Sequence, residues 1–203
     1  MGHAKFFETC QAFGVRGITE DLAKKAVQVY RETHHKVTQA WYNIERAAIL
    51  AVQNVGKSYK VHKVEYHVEG GFLWCKLPSG RRLAYYQPLV KTKDTPWGEP
   101  KACLHYEAVN SQTRKSELVH TYGGSLVENI CQAISADVMR SGVLNATAAG
   151  FTYLFDVHDE LVSEAKTGTK NIDDFIRCLT TLPAWASGLP VKAEGWSDFR
   201  FRK

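Results

Sequence analysis

His158-Asp159-Glu160 sets an imidazole and two carboxylates side by side between two apolar runs, Phe151 to Val157 and Leu161 to Ser163. Successive strand residues point to opposite faces, so neighbouring carboxylates converge only where a strand turns. The tripeptide therefore reads as the tip of a hairpin. Two carboxylates at one edge suit a hard divalent cation such as Mg, and paired ions of that kind serve phosphoryl transfer. A two-metal centre also needs a further acid to bridge the ions. Asp156 is the nearest, but it lies inside the strand and faces a different side from Asp159. A solvated turn, where charged residues are ordinary, is the alternative reading, and the tripeptide taken alone favours it. A metal-dependent nuclease using Asp159 and Glu160 would likewise require another acid beside them.

Gln132 is the second such residue. It stands among Ile130, Cys131, Ala133 and Ile134, where a buried amide must find a partner. A core hydrogen bond would satisfy it. So would contact with the minor groove of a duplex, whose acceptors are degenerate and suit a protein that ignores base sequence. Three other patterns carry less. Val55-Gly56-Lys57-Ser58 resembles the end of a phosphate-binding loop but lacks its earlier glycine and follows a helical pattern. His34-His35 is adjacent rather than one helical turn apart. Asn145-Ala146-Thr147 matches a glycosylation sequon without a secretory signal before it.

The elements that must position these residues follow from periodicity. Thr19-Glu20-Asp21 is a helix start, with Leu22, Ala26, Val29 and Tyr30 at helical spacing behind it. Val37, Trp41, Ile44, Ala48, Ala51 and Val55 form a second stripe, so 19–56 reads as one long helix or a bent pair. Residues 59–68 and Phe72 to Leu77 have strand character, Pro78-Ser79-Gly80 supplies a turn, and Leu83 to Tyr86 can return antiparallel. Residues 91–101 read as a loop and Cys103 to Val109 as a strand. A helix from about Ser125 to Val143 presents Val127, Cys131, Ile134 and Val138 as its apolar side. The run Phe151 to Val157 is too apolar for a half-exposed strand. Asn171 can cap a last helix that ends before Pro183, and 191–203 read as a short strand and a basic tail.

The chain has 203 residues, 44% hydrophobic and 23% charged, enough for a real core and unlike a disordered protein. No apolar run approaches the length of a membrane span, and no signal peptide opens the chain, so a soluble cytoplasmic protein is expected. Five scattered cysteines without a C-x-x-C pair read as free, mostly buried thiols in a reducing compartment. Net charge is +5, unevenly spread. Residues 71–101 carry six basic and two acidic side chains, against ten and seven before them and ten and twelve after. That segment holds Lys76, Arg81, Arg82, Lys91, Lys93 and Lys101 with Trp74, Tyr85, Tyr86 and Trp97. The mixture suits a phosphate backbone and exposed bases, but composition alone favours a twisted hairpin whose solvated face happens to be basic.

His120-Thr-Tyr-Gly-Gly-Ser-Leu-Val-Glu-Asn-Ile-Cys-Gln-Ala-Ile-Ser-Ala-Asp137, followed by Phe155-Asp-Val-His-Asp-Glu160, resembles the palm of family A DNA polymerases, closest to the bacteriophage and prophage branch. Val157-His-Asp-Glu160 looks like that family's motif C. Leu77-Pro-Ser-Gly-Arg-Arg-Leu83 and the stretch from Leu182-Pro-Ala-Trp-Ala to Ala193-Glu-Gly-Trp196 also look like this branch. The resemblance covers essentially the whole chain and is strongest over 120–164. It implies an α+β fold, an antiparallel palm sheet packed against helices, with a helical segment over 1–57 and the palm over 58–203. It implies that Asp159 and Glu160 serve a two-metal Mg site and that His158 lies at the primer terminus. Gln132 would touch the primer–template minor groove, with Arg81, Arg82, Arg114 and Lys115 as further DNA contacts. Some relatives place an Asn four residues before the Gln; here Glu128 stands there and Asn129 beside it.

Motif A, with the other metal-binding Asp, has no counterpart in the sequence, nor has motif B, the helix that binds the dNTP. An exonuclease domain is likewise absent. Met1-Gly2-His3-Ala4-Lys5-Phe6 looks like the segment just downstream of motif B. The resemblance thus implies part of a DNA-directed DNA polymerase that is inactive alone and needs a second polypeptide carrying motifs A and B. A bacterial host cytoplasm would be its setting if it is phage-encoded. The alternative is a non-catalytic nucleic-acid-binding remnant or fragment of a decayed polymerase gene.

Overall fold

A computed structural model describes residues 2–94 and 100–201. Within it the chain forms two compact units that interleave in sequence: residues 1–76 with 82–130, and residues 77–81 with 131–203. The fold class is α+β, with every strand pair antiparallel.

The first unit opens with α1 (His3–Ala12), α2 (Glu20–Thr33) and α3 (His35–Gln53). Thr19 caps α2 as its sequence predicts, its hydroxyl accepting the Leu22 N–H at 3.2 Å. The expected bend between α2 and α3 falls at His34. Ile44, Ala48 and Ala51 of the second stripe are buried together with Ala47. The stripe on α2 behaves differently: Leu22, Val29 and Tyr30 are about half exposed, and only Ala23 is buried.

Six strands follow as a meander in which each pairs with the next: β1 (Tyr59–Val61), β2 (Val64–Glu69), β3 (Phe72–Lys76), β4 (Arg82–Lys93), β5 (Lys101–Val109) and β6 (Ser116–Thr121). Residues 59–68, expected as one strand, are two, because the chain reverses at His62-Lys63 and pairs Val61 with Val64. The expected loop at 91–101 is also corrected: Lys91 and Lys93 belong to β4, paired with Cys103 and Lys101. Pro96, Trp97 and Gly98 lie outside the described residues. Ser116–Thr121 adds a strand that the sequence reading did not assign. Alternation places Val64, Tyr66, Leu73 and Cys75 in the core, with Tyr85 and Leu104, and α3 packs on the sheet. Asn129 completes this interior by donating to the Tyr85 hydroxyl at 3.3 Å. Burial pushes the Cys75 thiol up to about 11 and the Tyr85 phenol up to about 12, so neither supplies a nucleophile at neutral pH.

α4 (Gly123–Ala148) is longer than its pattern predicted, and its first turns up to Ile130 belong to the first unit. Its buried positions are Gly123, Leu126, Ile130, Ala133, Asp137, Gly142 and Ala146. The stripe expected through Cys131 is therefore out of phase with the one observed, and Cys131 itself is exposed. The second unit holds the rest of α4, the hairpin of β7 (Thr152–Val157) and β8 (Glu160–Glu164), and α5 (Ile172–Thr180). Asn171 caps α5 as expected, accepting the Asp174 N–H at 2.8 Å. Asn145 ties α4 to the end of α5, donating to the carbonyls of Cys178 (3.1 Å) and Thr181 (3.0 Å). Residues 191–201 form no strand, in contrast to the expectation for this segment. All five cysteines are free; Cys75 and Cys103 are buried, Cys10 and Cys178 half-buried. Among the described residues no helix is long and apolar enough to cross a membrane.

Candidate functional site

The hairpin that carries His158, Asp159 and Glu160 is a tight one. Val157 pairs with Glu160, which leaves His158 and Asp159 as a two-residue turn. All three ionisable residues are exposed. His158 adopts a φ of 56°, a region that L side chains rarely enter and that hairpin turns of this length require. Glycine would enter it without the Cβ clash. His158→Gly is therefore expected to raise the hairpin's stability by about 1 kcal/mol, and the β-branched His158→Val to lower it by ~1–2 kcal/mol. Thermal unfolding of the two variants checks this; equal midpoints would contradict the backbone argument.

The strand leading to this turn departs from its expected burial. Tyr153, Leu154 and Phe155 of β7 are 41, 43 and 40% exposed. The reason is topological: β7 pairs only with β8, so this sheet has two strands and its other hydrogen-bonding edge meets none among the described residues. Asp156 is engaged within its own strand, its carboxylate accepting the Tyr153 hydroxyl. That bond to a carboxylate raises the Tyr153 pKa.

Asp159 and Glu160 do not constitute a metal site by themselves. Among the described residues no three His, Cys, Asp or Glu side chains are grouped to hold an ion, and a hard divalent cation takes at least six oxygen ligands. Mg is commonly held by one or two carboxylates, so most of its six oxygen ligands at this hairpin would have to come from water, phosphate or other groups.

Gln132 is exposed on α4, so the core hydrogen bond that its apolar neighbours imply is not its role. Its amide faces outward because the buried row of α4 runs through Ile130, Ala133 and Asp137. Arg81 is fixed on the same helix. From the Pro78–Gly80 turn, Arg81 Nε donates to Asp137 Oδ1 at 2.7 Å, and Nη2 donates to the carbonyl of Ala133 at 2.8 Å, the residue after Gln132. Arg81, Gln132 and the hairpin tip are all parts of the second unit.

The remaining predicted contacts lie in the first unit. Arg82 Nη1 stands 3.9 Å from Glu69 on β2. Arg114 and Lys115 sit exposed in the β5–β6 turn, where Arg114 takes a φ of 58° and Asn110 organises the loop through its side-chain and backbone hydrogen bonds. The basic segment is partly self-neutralised, since Lys101 pairs with the buried Glu45 at 3.3 Å and Arg81 with Asp137. Of its aromatic residues, Tyr85 is a core residue, and the Trp74 indole donates to the Glu69 carbonyl at 3.2 Å. Tyr86 is 45% exposed, packed against Phe72. Sequence reasoning missed Asp137 and Arg140. The only signal was an acid placed on an apolar face of α4.

No family model matches the chain, and no solved structure matches it. Among curated proteins it is similar to the DNA polymerase of Bacillus phage SP02, with 34% identity over 187 residues. The aligned region is 92% of this chain and 28% of that polymerase, so the chain is homologous over most of its length to about a quarter of a phage DNA polymerase.

Proposed function

We propose that this chain is a nucleic-acid-binding part of a DNA polymerase, the C-terminal palm portion of a family A enzyme, and that alone it grips primer–template DNA without extending it. The observation that carries this reading is the similarity to a phage DNA polymerase along 92% of the chain. It takes in Gln132, the two carboxylates of the hairpin and the basic residues around Arg81. In the full reading, motif C is Val157-His-Asp-Glu160, Asp159 and Glu160 contribute to a two-metal Mg centre, His158 meets the primer terminus, and dNTPs and motifs A and B come from a second polypeptide. The exposed apolar strand β7 supports a missing partner, because a two-stranded sheet with such a strand gains from further cover. The sparse carboxylate set supports the other reading, a non-catalytic DNA-binding remnant of a polymerase gene.

Fluorescence anisotropy with a labelled primer–template tests the common part. Binding that weakens steeply as salt rises is expected, as for any protein that displaces counterions from phosphates. Salt-independent or undetectable binding would sink the proposal. Primer extension then separates the two readings. Activity appearing only when a polypeptide with motifs A and B is added, and falling on the order of 10³-fold with Asp159→Ala, supports the split enzyme. Unchanged DNA binding without activity in that mixture supports the remnant.

A further inference from the structure

Asp137 is an acid on a buried row of α4, and nothing in the sequence-level reading uses it. Its side chain is 8% exposed, with three polar groups gathered around it. The Ser79 hydroxyl donates to Oδ2 at 2.6 Å; Arg81 Nε and Arg140 Nη1 donate to Oδ1 at 2.7 and 3.2 Å. Arg81 is held a second time by the Ala133 carbonyl. Ser79 and Arg81 come from a turn more than fifty residues away in sequence.

We propose that Asp137 is a positioning residue that fixes Arg81 and Arg140 as a two-pronged phosphate site on α4, flanking Gln132, for the backbone of a nucleic acid. The inference rests on the polymerase reading above and adds Arg140 and Asp137 to it. Charge supports it first. One carboxylate faces two guanidinium groups, so the cluster keeps one net positive charge. Both cations reach solvent, with 38 and 66% of the Arg81 and Arg140 side chains exposed. Donor capacity supports it next. A guanidinium has five N–H donors in a rigid fork that matches phosphate geometry. The contacts to Asp137 and Ala133 occupy two on Arg81, and the contact to Asp137 one on Arg140.

Spacing is the third support. Gln132 and Arg140 are eight residues apart on one helix, about 12 Å along its axis. That length covers roughly three to four base steps of a duplex. With the amide at one end, Arg140 at the other and Arg81 anchored between them, one side of α4 can therefore meet base edges and successive phosphates together. Anchoring matters because two arginines already held in place lose less side-chain freedom when DNA binds.

Three full-length variants test the site against a labelled primer–template over a salt series. Arg140→Ala is expected to weaken binding several-fold and to reduce the slope of log K against log salt by about one. Its unfolding midpoint should fall only slightly, because the side chain is mostly in water and Ser79 and Arg81 still donate to Asp137. Arg140→Lys should restore the slope but only part of the affinity, since an ammonium lacks the fork. Asp137→Asn separates positioning from bulk charge. It makes the chain more positive, so general electrostatics predicts tighter binding, whereas loss of positioning predicts weaker binding. An unaltered slope for Arg140→Ala, or tighter binding by a folded Asp137→Asn, overturns the proposal while leaving the polymerase reading intact. Absence of salt-dependent binding by the wild-type chain overturns both.

Discussion

Gly123→Ala is expected to destabilise the first unit by about 3 kcal/mol or more, the largest single-residue effect foreseen for this chain. A Cβ at Gly123 would stand 2.1 Å from the Trp41 carbonyl oxygen and 2.6 Å from its carbon. Both are backbone atoms of α3, so no rotamer change relieves the clash. α4 would have to retreat from α3. That retreat breaks the bond in which the Gly123 N–H donates to Glu45 Oε2 at 3.1 Å. Overpacking costs about 1–3 kcal/mol, and a buried carboxylate deprived of a donor costs ~1–3 kcal/mol more. Gly124→Ala is the control. Its Cβ would meet the Tyr122 ring at 2.8 Å, and a side chain can swing away. Chemical denaturation of the two variants should separate them by about 2 kcal/mol; equal losses would show that α4 approaches α3 less closely.

Asp137→Ala is expected to cost the second unit about 2 kcal/mol at neutral pH. Removing one partner from a buried charge cluster is typically worth more than that, but here both guanidinium groups reach solvent, which lowers the figure. The cluster also predicts an acid dependence. Burial alone would raise the Asp137 pKa. The hydrogen bond from Ser79, with the hydrogen bonds and charge of Arg81 and the bond from Arg140, outweighs it and holds the carboxyl below the usual range. A depressed folded-state pKa contributes stability that is complete above the unfolded carboxylate value of about 4 and is lost as pH falls through the folded value. Unfolding free energies from pH 7 down to 2 should therefore drop more steeply at the acid end for wild type than for Asp137→Asn. Parallel curves would remove Asp137 from the acid transition.

The two expectations differ in how far the sequence foreshadowed them. Helix starts at Thr19 and Asn171 were legible because a cap is a bond between residues three apart, encoded by a short polar side chain before an amphipathic run. The turn at Pro78–Gly80 and the hairpin at His158-Asp159 were legible for the same local reason. Strand boundaries were less so. The reversal at His62-Lys63 lacks a glycine or proline signal, and Ser116–Thr121 becomes a strand by pairing with β5, a neighbour that its own composition does not announce. The stripe on α4 was assigned out of phase because Val127, Cys131, Ile134 and Val138 are as apolar as the row that the fold buries.

Burial of β7 shows the same limit in a functional element. Tyr153, Leu154 and Phe155 announce a strand that prefers cover, and their exposure shows that β8 alone does not supply it. Apolarity records what a segment would gain from a partner, while only the packed chain shows whether one is there.

By itself the sequence determined the α+β class, the capped helices, the carboxylate-tipped hairpin and the resemblance to polymerases, because each is written in residues close together along the chain. The tertiary structure alone decided that Gln132 faces outward, that Arg81 is anchored on Asp137 with Arg140, and that Gly123 must be glycine. Those properties depend on atoms brought together from segments tens of residues apart, and local periodicity carries no record of such distances.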